Sequence, residues 1–141
     1  SVSVVCANTA CDISTLFKNI DVDIIKNADG FWKSTLSEEL NSLQTLEPYK
    51  GYLVYMNTAA TLEITGVLPT ETWQATSLQN GWNMVGYPNG GESLPPISIS
   101  TYFNATNCQT VKNFEGFWAP NSSINSIDTF EAGKGYFILA Q

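Results

Sequence analysis

The stretch Ile25-Lys26-Asn27-Ala28-Asp29-Gly30-Phe31-Trp32 is repeated later in the chain as Val111-Lys112-Asn113-Phe114-Glu115-Gly116-Phe117-Trp118. A second shared phrase follows each copy, Glu47-Pro48-Tyr49-Lys50-Gly51-Tyr52 after the first and Glu131-Ala132-Gly133-Lys134-Gly135-Tyr136 after the second. Short segments that recur in the same order are the sequence signature of a duplicated structural unit. The sequence therefore predicts two similar units in tandem.

The residues around these phrases have the composition of short strands joined by polar turns. β-Branched and aromatic residues are concentrated in segments that end at Gly, Asn or Pro, which is typical of antiparallel strands. We expect strands at residues 1–5, 21–25, 51–56, 61–65, 72–76, 82–87 and 136–141, and a return strand that begins at Phe31-Trp32. The predicted fold class is mainly β, with two similar antiparallel β units, sandwich- or barrel-like, and short helices.

A short helix is expected after the opening strand of each unit. Asp12 is a suitable N-cap for a helical turn that carries Ile13, Leu16 and Phe17 on one side. The Ile-Ser-Thr-x-Phe pattern that begins at Ile13 recurs at Ile99. The same short helix is therefore predicted in the second unit.

The repeats also set the boundaries of the units. We place the first repeat unit at residues 1–66, a connecting strand or linker at 67–80 and the second repeat unit at 81–141, all in one compact domain. The Gly-Trp-Asn strand that begins at Gly81 occurs once, and so does the strand at 61–65. The pattern is thus cut within strands at both ends, and a chain that starts at Ser1 is expected to be a processed or excised piece.

The composition argues against two classes of partner. The 141 residues include 13 acidic and 6 basic side chains and no histidine, which gives a formal net charge of −7. Nucleic acids and anionic membrane surfaces both require clustered Lys and Arg. No apolar run reaches the roughly 18 residues of a membrane-spanning helix. We therefore expect neither a nucleic-acid partner nor insertion into a membrane.

Three phrases of the second unit together match a known type of repeat. They are Gly81-Trp82-Asn83-Met84-Val85-Gly86-Tyr87-Pro88, Gly116-Phe117-Trp118 and Glu131-Ala132-Gly133-Lys134-Gly135-Tyr136. The chain resembles the tandem "GWN…GFW…PGKGY" β-rich repeat module of secreted and cell-surface bacterial (Bacteroidetes-type) multidomain proteins. The first copy departs from that pattern at Tyr49, where Gly is usual, and lacks the Gly-Trp-Asn phrase. The resemblance implies an extracellular structural or accessory module and carries over no catalytic residues.

The sequence contains no recognisable catalytic constellation. Without histidine, the Ser-His-Asp and Cys-His schemes are excluded. The repeat offers two symmetric carboxylate pairs, Glu47 with Glu131 and Asp29 with Glu115, the residue type that glycoside hydrolysis uses. Their positions in or beside turns favour a structural role, in which they accept hydrogen bonds from turn amides. We predict no enzymatic activity, no catalytic residue and no cofactor.

Two groups of side chains contain residue types that can bind metal ions. Asp21, Asp23, Asn27 and Asp29 supply the hard oxygens that calcium prefers. They lack the Asp-x-Asp-x-Asp-Gly spacing, and the second copy keeps only Asn107, Asn113 and Glu115, so a solvated loop is favoured. The three dispersed cysteines do not form a tetrahedral zinc set without histidine. The sequence predicts no metal site.

The cysteines suggest a disulfide instead. Cys6 and Cys11 bracket a short polar loop and are candidates for a small disulfide ring in an oxidising compartment. Buried thiols at these two positions and at Cys108 are an equally compatible alternative, because free cysteine is often part of a core.

The aromatic side chains are the best candidates for ligand binding. The residues concerned are Trp32, Trp118, Trp82, Tyr52 and Tyr136. Flat rings stack on sugar faces, and a rim rich in amides and hydroxyls suits a neutral glycan. Core packing explains the repetition of Trp32 and Trp118 at least as well, since one ring of each Phe-Trp pair must face the core.

Two functions from different classes follow from these patterns. The first is a non-catalytic extracellular structural or adhesion module, whose terminal edge strands pair with neighbouring repeats, with other domains of a larger protein or with copies of itself. The alternative is a carbohydrate-binding module that uses surface Trp or Tyr. Both functions predict a secreted or cell-surface location.

Overall fold

The computed structural model describes residues 11–62, 64, 78–87 and 95–141. The strands are β1 Cys11–Asp12, β2 Val22–Lys26, β3 Phe31–Lys33, β4 Thr45–Leu46, β5 Leu53–Met56, β6 Gly81–Gly86, β7 Ile97–Ser98, β8 Cys108–Lys112, β9 Phe117–Trp118, β10 Thr129–Phe130 and β11 Gly135–Ala140. Helical structure in these residues consists of α1, Ile13–Leu16, and 3-10 turns at Glu38–Leu40 and Ile99–Thr101. The strands pair antiparallel. The predicted mainly-β, antiparallel fold is therefore confirmed.

The first group of strands builds a three-stranded sheet in the order β3-β2-β5 and a two-stranded pair of β1 with β4. In β2, Val22 and Ile25 are both buried, although strict alternation would place them on opposite faces. The register between β2 and β5 shifts between Val22 and Ile24. This irregularity turns both side chains toward the same core.

The second group builds a four-stranded sheet in the order β6-β11-β8-β9 and a pair of β7 with β10. The central strand β11 alternates regularly, with Tyr136, Ile138 and Ala140 buried and the residues between them half-buried. Its neighbours β6 and β8 lie on either side along most of its length. β11 is thus paired on both edges, and it carries the core of this unit.

Two hydrophobic clusters correspond to the two groups of strands. The first contains Cys11, Ile13, Phe17, Val22, Ile25, Leu43, Leu46 and Tyr52. The second contains Val85, Tyr87, Ile99, Phe103, Cys108, Val111, Trp118, Phe130, Tyr136 and Ile138. Each cluster collects the inward-facing residues of its own strands.

A turn of the first unit lies against β6 of the second. The backbone N–H of Gly51 donates to the Met84 carbonyl at 3.2 Å, and that of Gly86 donates to the Tyr49 carbonyl at 2.8 Å. Tyr49, with a positive φ of 64°, packs against the second cluster. A Cβ at Gly51 would lie 2.9 Å from the Val85 carbonyl oxygen. Glycine is needed at that position because the two backbones approach so closely.

The expected short helices are found in different forms. Asp12 is the N-cap of α1, and its carboxylate accepts a hydrogen bond from the Thr15 N–H at 2.8 Å, as predicted. At Ile99 the structure has a 3-10 turn instead of an α-helix. The preceding Ser98 makes no side-chain cap and bonds the Ser100 hydroxyl at 2.8 Å, so the first turn lacks the bond that Asp12 provides.

Some sequence predictions fall outside the described residues. These are the strands expected at 1–5 and 72–76 and part of the strand expected at 61–65. Of that last segment, Leu62 and Ile64 belong to no strand but pack against the first cluster. In the part of the chain that the structure describes, no helix is both long and apolar enough to cross a membrane.

Candidate functional site

The five aromatic residues singled out in the sequence lie in different environments. Trp118, Tyr52 and Tyr136 are buried in the two clusters and cannot stack on a ligand. The prediction that they bind a ligand at the surface is therefore wrong. Trp32 is half-buried against the first cluster. Trp82 is 51% exposed and is the most accessible of the five.

Trp82 lies on the outer face of the four-stranded sheet. Its place in β6 is opposite Leu139 of β11, and the ammonium of Lys112 lies 4.4 Å from its ring centroid. A groove of about 510 Å³ adjoins it, lined by Ala28, Trp82, Met84, Lys112, Asn113, Phe114 and Phe137. Phe114, at the tip of the adjacent hairpin, is 85% exposed. The arrangement offers an apolar, aromatic surface with one positive charge.

A second groove lies on the other side of Trp82, where the two units meet. It has a volume of about 370 Å³ and is lined by Asn27, Ala28, Asp29, Pro48, Tyr49, Lys50, Leu78, Gln79, Trp82, Asn83, Met84 and Val85. The amide of Asn83 is held by Gln79 through two hydrogen bonds of 3.0 and 2.7 Å. The indole of Trp82, in β6, thus lines both grooves.

The symmetric carboxylates are tied to lysines. Lys134 contacts Glu115 at 2.6 Å and Glu131 at 3.0 Å. The matching group in the first unit joins Lys50 to Asp29 at 2.8 Å and to Glu47 at 3.1 Å. The hydrogen bonds that Lys134 donates to Glu115 and Lys50 donates to Asp29 raise the pKa of both ammonium groups above the ordinary lysine value. Asp29 and Glu115 thus join one turn to another, and Glu47 and Glu131 pair with the lysine of their own turn.

This pairing differs from the expected role of Glu47 and Glu131. Their carboxylates contact lysine ammonium groups, not turn amides. Their backbone N–H groups donate to the phenol oxygens of Tyr52 and Tyr136. The sequence signal for these contacts is the matched spacing of Glu, Lys and Tyr in the two phrases.

The side chains of Asp21, Asp23, Asn27 and Asp29 do not meet at a common site. Asp23 pairs with Lys33 at 3.2 Å, and Asp21 accepts a hydrogen bond from Asn57 at 2.8 Å. Asn27 accepts hydrogen bonds from the N–H groups of its own turn. Within the described residues no group of three or more potential ligands is placed to hold a metal ion.

The cysteines are of two kinds. Cys11 is disulfide-bonded. Cys6, the partner that the sequence suggests, lies outside the described residues, so their pairing stays a prediction. Cys108 is a free, buried thiol, and burial raises its pKa. Its burial and its raised pKa are those of a core cysteine.

One sheet edge differs between the two units. The phrases align Gly51-Tyr52 with Gly135-Tyr136, so in this sequence alignment β5 matches β11. β11 pairs with β6 and with β8, whereas among the described residues β5 pairs with β2 alone. Met56 is 38% exposed where its equivalent Ala140 is 6% exposed, and Val54 is half-buried where Ile138 is fully buried. In the second group of strands, β6 pairs with the corresponding edge of β11. The matching edge of β5 has no described partner strand, and the side chains of Val54 and Met56 are more exposed.

Neither family models, nor curated proteins, nor solved structures gave a match to this chain. The geometry of the Trp82 surface and of the β5 edge therefore carries the functional argument.

Proposed function

We propose that this chain is a non-catalytic structural or adhesion module of a secreted or cell-surface protein, which joins neighbouring units or subunits by strand addition. The observation that carries the proposal is that β5 pairs with a described strand along one edge only. Its backbone is paired on one side within the described residues, and its side chains are more exposed than the equivalent ones of β11. An exposed edge strand presents unpaired N–H and C=O groups to a further strand.

The free energy of such an association has two sources. The incoming strand satisfies the backbone groups along β5, and each hydrogen bond contributes about 1 kcal/mol. It also removes apolar surface of Val54, Tyr55 and Met56 from water, at about 25 cal/mol per Å². Both contributions require only an extended segment, so the proposal needs no catalytic group.

The ionisable side chains support a non-catalytic role. The lysine groups at Lys50 and Lys134 each hold two carboxylates in matching positions of the two units. Their function is explained by the turns that they connect. The sequence contains no histidine to act as a general base at neutral pH.

Analytical ultracentrifugation of the whole chain at increasing concentration tests the proposal. We expect association that Met56→Lys suppresses, because a charge on an edge strand opposes pairing. Ile124→Lys is the matched control, since Ile124 is exposed but lies in a loop away from β5. Association that Met56→Lys leaves unchanged, or a chain that neither self-associates nor binds an added strand peptide at β5, would contradict the proposal.

A second candidate function is favoured by Trp82. Its exposed indole stands between two grooves and is the kind of flat platform on which a neutral sugar stacks. Retention of the chain on insoluble polysaccharides, lost in Trp82→Ala but kept in Tyr55→Ala, is the expected result of this function. The two variants remove exposed aromatic rings from different sheets, so a loss of nonspecific hydrophobic adsorption would affect both.

A further inference from the structure

We infer that the segment that pairs with β5 is a strand of the Gly-Trp-Asn type, supplied by a further unit, in the register that β6 takes against β11. The inference rests on the proposed function, because it assumes that β5 is an edge used for assembly. It goes further by naming the sequence pattern, the direction and the residue pairs of the incoming strand.

The register follows from the second unit. There β6 runs antiparallel to β11, with Met84 opposite Phe137, Asn83 opposite Ile138 and Trp82 opposite Leu139. Leu53, Val54 and Tyr55 are the equivalents of these three β11 residues. An incoming strand in the same register places its Met opposite Leu53, its Asn opposite Val54 and its Trp opposite Tyr55.

The direction of the backbone groups agrees with this register. Met84 and Gly86 use their carbonyl and N–H to bond the first unit, so these groups point away from β11. Val85, which lies between them, and Asn83 consequently direct their backbone groups toward β11. By equivalence, Val54 and Met56 direct their N–H and C=O toward the edge that pairs with no described strand, and Leu53 and Tyr55 direct theirs toward β2.

The side chains on the two faces of β5 also match. On the inner face, Asn83 of β6 lies opposite the fully buried Ile138, whereas Val54, which matches Ile138, is half-buried and faces no described strand on that side. On the outer face, Lys26 lies 5.2 Å from the ring centroid of Tyr55, as Lys112 lies over Trp82. A Trp opposite Tyr55 would share the same ammonium. Both faces of β5 therefore fit a β6-like strand.

β6 of a second folded copy cannot be this strand. Its one edge is bonded to β11, and Met84 and Gly86 on its other edge are bonded to the turn at Gly51. The incoming strand must belong to a unit in which the Gly-Trp-Asn segment is not yet paired with a β11-type strand. The probe is accordingly a synthetic peptide with the sequence of residues 79–87.

The test is titration of the isotope-labelled whole chain with this peptide, followed by NMR. We expect saturable shifts, with slower hydrogen exchange at the N–H groups of Val54 and Met56. The N–H groups of Leu53 and Tyr55 serve as internal controls, since they face β2 and should change little in exchange. Unchanged spectra, or protection at another surface, would overturn the inference.

Two peptide variants make the result specific. Replacing the peptide's Asn83 by Pro removes the N–H that faces Val54 and should abolish binding. Replacing its Trp82 by Ala should weaken binding about fivefold, through loss of the aromatic contact with Tyr55 and Lys26. Because only the peptide changes, neither result depends on whether a protein variant folds.

One pair of protein variants checks the outer face. Lys26→Met should weaken binding of the unmodified peptide about threefold, as expected for an exposed cation–π contact. Lys18→Met, an exposed lysine outside the sheets, should leave it unchanged. Equal effects of the two would show that the peptide responds to net charge and would overturn the assigned register.

The outcomes separate this inference from the proposed function. If the chain associates through Met56 but does not bind the peptide, strand addition is supported and the Gly-Trp-Asn partner is refuted. Absence of both would refute the two together.

Discussion

The backbone N–H of Glu131 donates a hydrogen bond of 2.9 Å to the phenol oxygen of Tyr136. The same contact joins Glu47 to Tyr52 at 2.8 Å in the first unit. Both tyrosines are buried, and each follows the turn that it holds. The repeated Gly-Tyr phrase thus ends a turn and anchors it in the core with one side chain.

Tyr136→Phe and Tyr52→Phe are each expected to destabilise the chain by about 1–2 kcal/mol, because a backbone N–H in the turn loses its acceptor while the ring packing is kept. Urea unfolding at neutral pH measures the change. Tyr55→Phe is the matched control, since Tyr55 is exposed and should change stability by less than about 0.5 kcal/mol. Equal effects at all three positions would show that the hydrogen bonds contribute nothing specific.

The same residues predict a loss of stability at alkaline pH. Burial raises the pKa of Tyr52 and Tyr136, and the hydrogen-bonded carboxylates raise the pKa of Lys50 and Lys134. The folded state therefore holds these protons more tightly than the unfolded state. Their contribution is complete below about pH 10, the ordinary range of the phenols, and is lost as the pH rises through the folded-state values.

Urea unfolding between pH 8 and pH 11 tests this dependence. The free energy of unfolding should be level at the start of that range and fall toward its end. In the double variant with Tyr52→Phe and Tyr136→Phe the fall should be shallower, because only the lysines still contribute. A stability that rises with pH in this range would contradict the assigned direction of the shifts.

Phe130 is the centre of the second cluster. It is fully buried, its ring centroid lies 4.8 Å from that of Tyr136, and it stacks on Tyr87 at 6.0 Å. Phe130→Ala should cost about 3–5 kcal/mol, as expected when a buried aromatic ring leaves a cavity. Phe114→Ala, at an exposed hairpin tip, should cost less than about 0.5 kcal/mol. Thermal unfolding of both variants gives the comparison.

The turns and strands were predictable because their signals are local. Asn27 and Asn113 accept hydrogen bonds from their own turns, as the matched Asn-x-x-Gly phrases suggest. The prediction that one ring of each Phe-Trp pair faces the core is met in the second unit, where Phe117 is exposed and Trp118 is buried. Two-residue alternation sets that choice once the strand is known.

The exposure of the other aromatic residues was not predictable in the same way. Tyr52 and Tyr136 point inward because each must reach the turn before it, a contact that no periodicity encodes. Trp82 is left at the surface between two grooves, one of which is formed with Pro48 and Tyr49 of the first unit. Contacts between segments so far apart in sequence depend on how the units meet, which a single sequence does not reveal.

Gly51 tests that meeting of the units directly. In Gly51→Ala the new methyl group would lie 2.9 Å from the Val85 carbonyl oxygen and 3.0 Å from its nitrogen, so the two backbones must separate. We expect the free energy of unfolding to fall by about 1–3 kcal/mol, the usual cost of overpacking.

Hydrogen exchange shows where the Gly51→Ala substitution disturbs the structure. The N–H of Gly86 donates to the Tyr49 carbonyl of the first unit and should lose protection from exchange. The N–H of Tyr87 donates to the Lys134 carbonyl within the second unit and should keep its protection. Equal loss at both amides would place the damage inside the second unit and contradict the assignment of Gly51 to the contact between units.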